Sequence, residues 1–308
     1  MRIGEDDRPP PLSGRAEPMT MPKTAVLFPG QGSQTPDMRD AVAAQRPDLL
    51  ELAREVVGDD PFARVDDGTQ YAQPAIYCAA LVGWDRLCAA GVRADVVAGH
   101  SLGEVAALVA AGALSAEQGL RLVAERGRLM QESGERAGDG SMLALLGNGA
   151  AERAGEVAAA HGLTVANDNA PNQVVLSGSR AAFEAATETA KGLGLRAVPL
   201  PVTGAFHSPY MAEAVPAFRE ALAQVTFAEP QITVVSSITT KPFDDIAARL
   251  ADALTAPVRW RETILALRAD GVERFIETGP GKVLTGLVRR TVAGAEAITV
   301  EQLEAARA

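Results

Sequence analysis

The chain has 308 residues, of which 47% are hydrophobic and 22% charged, enough for one large domain or two ordinary ones around a sizeable core. Its formal charge is −10 with no dense Lys/Arg run, which disfavours nucleic-acid binding, because that needs a basic face to displace phosphate counterions. No apolar run approaches the ~18 residues of a membrane span, and the N-terminus lacks the apolar stretch of a secretory signal, so the expectation is a soluble, cytoplasmic protein with no membrane partner.

Residues 1–21 are polar, proline-rich and without periodicity, and read as a disordered tail, with Met19 and Met21 as alternative starts. Thr24–Phe28 is a short apolar run stopped by Pro29-Gly30, the pattern of a buried strand entering a loop. Helical periodicity covers about 38–56 and 74–90, and Asp95–Gly99 is another buried strand. Alternating strands and helices predict a mostly parallel α/β sheet. Cys78 and Cys88 both lie in alanine-rich apolar surroundings and read as reduced core residues.

The middle of the chain changes character. Met142–Leu146 reads as a strand, Ala150–His161 as a helix, Thr164–Asn167 and Gln173–Ser177 as strands joined by a polar turn, Ala181–Gly192 as a helix and Leu195–Leu200 as a strand. That βαββαβ order is the signature of a ferredoxin-like unit. The expected organisation is an α/β catalytic core of residues 22–132 and 204–308, with residues 133–203 inserted as the small unit. Beyond it, helices are expected near 211–224, 244–254, 260–270 and 282–291, and strands over Ile232–Ser236 and Arg274–Glu277.

Gly99-His-Ser-Leu-Gly103 fits G-x-S-x-G between an apolar strand and an expected amphipathic helix, the context a nucleophile elbow demands. The helix N-terminus beneath Ser101 favours a developing oxyanion; a structural Gly-Ser helix cap is the alternative. A serine hydroxyl needs a base, and the chain has three histidines. His100 sits inside the motif, with its side chain expected to point away from Ser101, as structural support or in contact with substrate. His161 closes a helix, as a solvent-exposed cation. His207, in the loop Gly204-Ala-Phe-His-Ser-Pro209, is the best general base, against the alternative of a buried structural imidazole.

Ser115-Ala-Glu-Gln118 is a capping box that opens a helix to about residue 132. Arg121, Glu125, Arg128 and Glu132 share its solvated face, whereas Arg126 falls on the apolar side beside Leu122, Val123 and Met130. A guanidinium there requires a partner. Either an internal carboxylate or a substrate carboxylate gripped by two parallel hydrogen bonds would serve.

The ordered set Phe28-Pro-Gly-Gln-Gly-Ser-Gln34, Gln73-Pro-Ala75, Gly99-His-Ser-Leu-Gly-Glu104, Arg126-Gly127 with Met130-Gln131, Asn167-Asp-Asn169, Gly204-Ala-Phe-His-Ser208, Pro257-Val-Arg-Trp260 and Glu277-Thr-Gly-Pro-Gly-Lys282 resembles the malonyl-CoA:acyl-carrier-protein transacylases of fatty-acid and polyketide synthesis, over about residues 23–300. The resemblance implies a hydrolase-like α/β core with an inserted ferredoxin-like subdomain and a cleft between them. It implies Ser101 as the malonylated nucleophile, His207 as base, the Gln31 and Leu102 amides as oxyanion hole, and Arg126 on the malonyl carboxylate. Phe206, His100 and Asn169 would line the substrate site. Leu102 and Phe206 resemble malonyl-selective members. The histidine-orienting main-chain carbonyl falls on Ala253, where the family usually has Gln; Ala72 departs from the Thr that often precedes Gln-Pro-Ala. Malonyl-CoA and acyl carrier protein are the implied partners, with no metal or redox cofactor. Because carrier proteins are acidic, Lys282, Arg289 and Arg290 are expected to form a docking patch, or else simply a solvated helix face. An esterase or thioesterase on the same core, the acyltransferase of a malonate decarboxylase or a polyketide pathway, and a non-catalytic carrier-binding scaffold are the rival functions.

Overall fold

The structure is a computed structural model and describes residues 22–307; the segment expected as a disordered tail lies outside them. Strand β1 (Lys23–Phe28) is followed by helices α1 (Met38–Gln45), α2 (Pro47–Val57) and α3 (Thr69–Ala89). The single helical stretch expected near 38–56 is broken at Arg46, because Pro47 cannot continue a helix but suits the first turn of a new one. Helix α3 starts five residues before Pro74 and runs through it, its first turns held by burial of Tyr71 to Ile76. Cys78 is buried, but Cys88 is exposed on the last turn of α3, contrary to the core position expected for both.

Strand β2 (Val96–Gly99) leads into α4 (Gly103–Ala110) and then α5 (Ala116–Ala137). The small unit follows as β3 (Gly140–Leu146), α6 (Ala150–Ala160), β4 (Thr164–Ala170), β5 (Gln173–Ser179), α7 (Phe183–Gly192) and β6 (Arg196–Pro199). The chain returns through α8 (Ala214–Ala223), β7 (Thr233–Val235), α9 (Ile246–Asp252), α10 (Trp260–Ala269), β8 (Val272–Glu277), α11 (Val283–Thr291), β9 (Glu296–Thr299) and α12 (Val300–Ala305). Among the described residues no helix is long and apolar enough to cross a membrane.

Two sheets result. The larger has strand order β7-β2-β1-β8-β9, all parallel. In β1, Val26 and Phe28 enter one apolar cluster and Ala25 and Leu27 the other, so the sheet is covered on both faces. The smaller sheet, order β4-β5-β3-β6, is antiparallel. Leu143 and Leu145 face α6 and α7, while the intervening Met142 and Ala144 join the core of the large unit. The fold class is therefore the expected one, an α/β core with an inserted βαββαβ subdomain. Strand β4 extends past Asn167 through Asp168-Asn-Ala170, read above as part of a turn. Its backbone is claimed there by β5, by irregular pairing, and by a bridge to Val258.

Candidate active site

The serine elbow is a steric consequence of its glycines. A Cβ on Gly99 would lie 2.0 Å from the Gly103 carbonyl carbon, and one on Gly103 would lie 2.2 Å from the Phe28 carbonyl oxygen. Only hydrogen at both positions lets β2 turn so tightly into α4 against β1. Helix α4 is buried around its first six residues rather than amphipathic, as expected of a helix buried in the core. Ser101 is left at φ 54°, a backbone region uncommon for non-glycine residues.

His207 shares that conformation, at φ 55°. Its Nε2 lies 2.9 Å from Ser101 Oγ. Its Nδ1 lies 2.8 Å from the Ala253 carbonyl oxygen and 3.2 Å from that of Ala256. Carbonyls only accept, so Nδ1 carries the proton and Nε2 is free to accept the serine hydroxyl. Burial, followed by the nearby Arg126 charge, lowers the His207 pKa to about 3, so the imidazole is neutral at pH 7. The Ala253 carbonyl makes the expected contact although no glutamine side chain stands there, and Ala256 adds a second acceptor that no side chain in the sequence announces.

Arg126 is buried on α5. Its Nη1 donates to Gln73 Oε1 at 2.8 Å and its Nη2 to Ser101 Oγ at 3.1 Å. Among the described residues no carboxylate lies within ion-pair distance of it, so the internal-carboxylate alternative does not apply. Burial lowers its pKa to about 10 while Glu104 opposes the shift, and it remains a cation at neutral pH. Helices α3 and α5 come close enough for this geometry because Gly127 has no side chain: a Cβ there would sit 2.9 Å from the Thr69 carbonyl oxygen and 3.0 Å from Gln70 Cα. The expected solvated face of α5 carries ion pairs of Arg128 with Glu125 and Glu132.

The Gln31 and Leu102 amides have no acceptor among the described residues, and both residues line the cleft. The loop around Gln31 is stapled by Ser33 Oγ donating to the Gly30 carbonyl at 2.7 Å. His100 does turn away from Ser101: its Nε2 meets Asn169 Oδ1 at 2.8 Å, and its ring packs edge-on against Trp260. Burial lowers the His100 pKa, opposed by the Asn169 contact. His161 is half-buried and bonded to Thr189 rather than simply solvated.

A cleft of about 720 Å³ gathers Ser101, His207, Arg126, Phe206, His100 and Asn169. Its far wall is the inner face of the small sheet, through Met142, Ala144 and Val175. Lys282, Arg289 and Arg290 lie outside this lining and are exposed. Arg289 donates to the Ala297 carbonyl at 2.7 Å and Arg290 reaches Gln173 Oε1 at 3.0 Å. Glu277 fixes the start of their helix by accepting from the Leu284 and Thr285 amides at 2.9 and 2.7 Å.

Sequence reasoning left two buried polar residues without a role. Gln73 was visible only as part of a motif. Glu104, three residues beyond the serine, accepts from Ser237 N at 2.6 Å and Ser237 Oγ at 3.0 Å. Its other oxygen has no partner among the described residues, and burial raises its pKa to about 7. The signal for both was a polar side chain inside an apolar run.

A serine on a strand-to-helix elbow, a histidine at hydrogen-bond distance held by main-chain carbonyls, and two free amides beside them are the geometry of serine-dependent α/β acyl-transfer enzymes. Comparison with known proteins gives the particular group. The acyl transferase domain model matches residues 26–305, and the chain belongs to that family of acyltransferases. It is 42% identical over 281 residues to the polyketide biosynthesis protein ThaF of Burkholderia thailandensis, covering 86% of this chain but 24% of that protein. It is 39% identical over 280 residues to the polyketide biosynthesis malonyl CoA-acyl carrier protein transacylase BaeC of Bacillus velezensis, covering 86% of this chain and 95% of that protein. A solved structure of a type II polyketide-synthase acyl-carrier protein in complex with its malonyl-transacylase matches at TM-score 0.79 and 35% identity, covering 90% of this chain and 94% of that one.

Proposed function

We propose that the protein transfers malonyl from malonyl-CoA to the phosphopantetheine thiol of an acyl carrier protein, through a malonyl-Ser101 intermediate. The observation that carries this reading is the buried Arg126 guanidinium, without a carboxylate partner among the described residues and 3.1 Å from Ser101 Oγ. A cation held beside a nucleophile suits an acyl group that ends in a carboxylate. Relatives named as malonyl transacylases support the same reading.

The malonyl carboxylate pairs with Arg126. His207 Nε2 takes the Ser101 proton as Oγ attacks the thioester carbonyl, and the Gln31 and Leu102 amides receive the oxyanion. Such donors typically supply about 3–4 kcal/mol each. The C–S bond breaks, His207 returns the proton to the CoA sulfur, and the thiol leaves. The carrier's pantetheine thiol then gives its proton to His207, attacks the serine ester, and leaves as malonyl thioester with Ser101 Oγ reprotonated. Thioester exchange moves an acyl group and protons only, so the mechanism calls for no metal or redox cofactor. Lys282, Arg289 and Arg290 supply the basic surface for an acidic carrier, and the reaction is assigned to the cytoplasm.

The test is intact-mass analysis after exposure to malonyl-CoA, methylmalonyl-CoA and acetyl-CoA in competition, followed by addition of holo carrier protein. A malonyl adduct on Ser101 that moves to the carrier is the expected result. A dominant acetyl adduct, or release as free malonate with none on the carrier, overturns the reading.

A further inference from the structure

We propose that Thr69 is a positioning residue that couples the carboxylate clamp to the oxyanion loop, so that recognition of the acyl carboxylate is expressed in turnover as well as in binding. This rests on the malonyl-transfer reading above and adds a residue to it.

The hydrogen bonds run in one sense. A guanidinium can only donate, so Arg126 Nη1 fixes the Gln73 amide with its oxygen inward, at 2.8 Å. Gln73 Nε2 then faces Thr69 Oγ1 and donates to it at 2.9 Å. With its oxygen engaged, the Thr69 hydroxyl sends its own proton to Gln31 Oε1, also at 2.9 Å. Gln31 is the residue whose main-chain amide serves the oxyanion, and this is the one side-chain bond it makes among the described residues. Its side chain is otherwise exposed at the cleft lip.

Thr69 itself cannot drift. It is buried at the first position of α3, and its amide donates to Gln131 Oε1 at 3.1 Å. The Gln131 amide group also packs against Gly68, where a Cβ would approach Oε1 to 2.6 Å. Thr69 is thus anchored on the helix pair that holds Arg126, and its hydroxyl is what ties that network to the loop of Gln31. A carboxylate arriving at Arg126 draws Nη2 from Ser101 Oγ while Nη1 stays on Gln73. The chain through Gln73 and Thr69 then fixes how far the oxyanion amide sits from the captured acyl group. Acetyl lacks the carboxylate and receives less from this coupling.

Steady-state transfer to holo carrier protein, with malonyl-CoA and acetyl-CoA as donors, tests this on the full chain. Thr69→Val removes the hydroxyl at nearly constant volume, and Thr69→Ser keeps it. Gln31→Ala removes the acceptor at the other end while leaving the main-chain amide, and, being at an exposed side chain, decides the matter if Thr69→Val does not fold. Thr69→Val and Gln31→Ala are each expected to lower malonyl kcat about tenfold, the worth of one net hydrogen bond. Malonyl KM should stay within about twofold, acetyl kcat should fall less than malonyl kcat, and Thr69→Ser should retain most of the parent kcat. Parallel losses with both donors, an equal loss in Thr69→Ser, or unchanged malonyl kcat overturns the coupling. A parent enzyme that forms no malonyl-Ser101 adduct instead overturns the functional reading.

Discussion

Replacing Arg126 with alanine removes two things at once from the cleft: the grip on a substrate carboxylate and a positive charge beside the base. Arg126 is 3% exposed, so little water competes for the guanidinium protons. A bidentate pair with malonyl forms two charge-assisted hydrogen bonds, each worth about 1.5–3 kcal/mol. At about 1.4 kcal/mol per factor of ten, malonyl kcat/KM should fall by about two to four orders of magnitude. Acetyl-CoA gains nothing from the clamp and leaves a buried cation unpaired in the parent enzyme, so its transfer should hold or rise. The second effect acts in the same direction. Burial is the chief cause of the low His207 pKa and the Arg126 charge the next, so removing that charge makes the imidazole more basic. The assay is kcat/KM for both donors with holo carrier protein, checked by intact mass of the acyl-enzyme. Malonyl kcat/KM within about threefold of the parent, or acetyl transfer falling in parallel, refutes the reasoning.

Ser101→Ala should show no acyl adduct by intact mass after malonyl-CoA treatment, and an adduct on that variant would move the nucleophile elsewhere. Gly127→Ala forces a methyl against the main chain of Thr69 and Gln70; it should cost about 1–3 kcal/mol of stability and raise malonyl KM more than acetyl KM, and an unchanged Tm with an unchanged donor ratio would contradict the packing argument. Glu104, with a carboxyl raised from 4.5 to about 7, binds its proton more tightly folded than unfolded; its contribution is full below pH 4.5 and lost as pH rises through 7. Tm of the parent should therefore fall between pH 5 and 8 relative to Glu104→Gln, and identical pH profiles would refute the assignment. Reversing charge at Arg289 and Arg290 should raise KM for carrier protein several-fold and leave KM for malonyl-CoA alone; an unchanged carrier KM dismisses the patch.

Most of the framework was legible because its signals are local. An apolar run bounded by Pro-Gly marks β1, and the Ser115 capping box marks the start of α5, with both reciprocal bonds formed. Arg126 announced itself as the one charge on an apolar stripe. What stayed hidden depends on groups distant in sequence. Gln73 meets Arg126 across 53 positions, and nothing in the residues around Gln73 points to that helix. The Ala256 acceptor is a main-chain oxygen, and every residue has one. Strand β4 runs on through Asn167-Asp-Asn169, a run of turn formers, because partners in β5 and at Val258 override local preference. Strand β9 was not anticipated at all: four residues at a sheet edge, Glu296 to Thr299, carry too little periodicity to stand out. Cys88 misled because its alanine neighbours look like core, whereas the final turn of a long helix simply rotates outward.

The left-handed backbone at Ser101 and His207 has a consequence for anyone who would engineer this chain. Each such residue carries a conformational penalty of about 1–3 kcal/mol that glycine would not. At Ser101, whose small side chain leaves little packing to lose, selection for heat resistance alone therefore rewards Gly, whereas at His207 the lost packing of a buried imidazole and its carbonyl bonds outweighs the relief. The position proposed as nucleophile is thus also one where the fold would gain by giving up its chemistry, so durability and turnover have to be screened together.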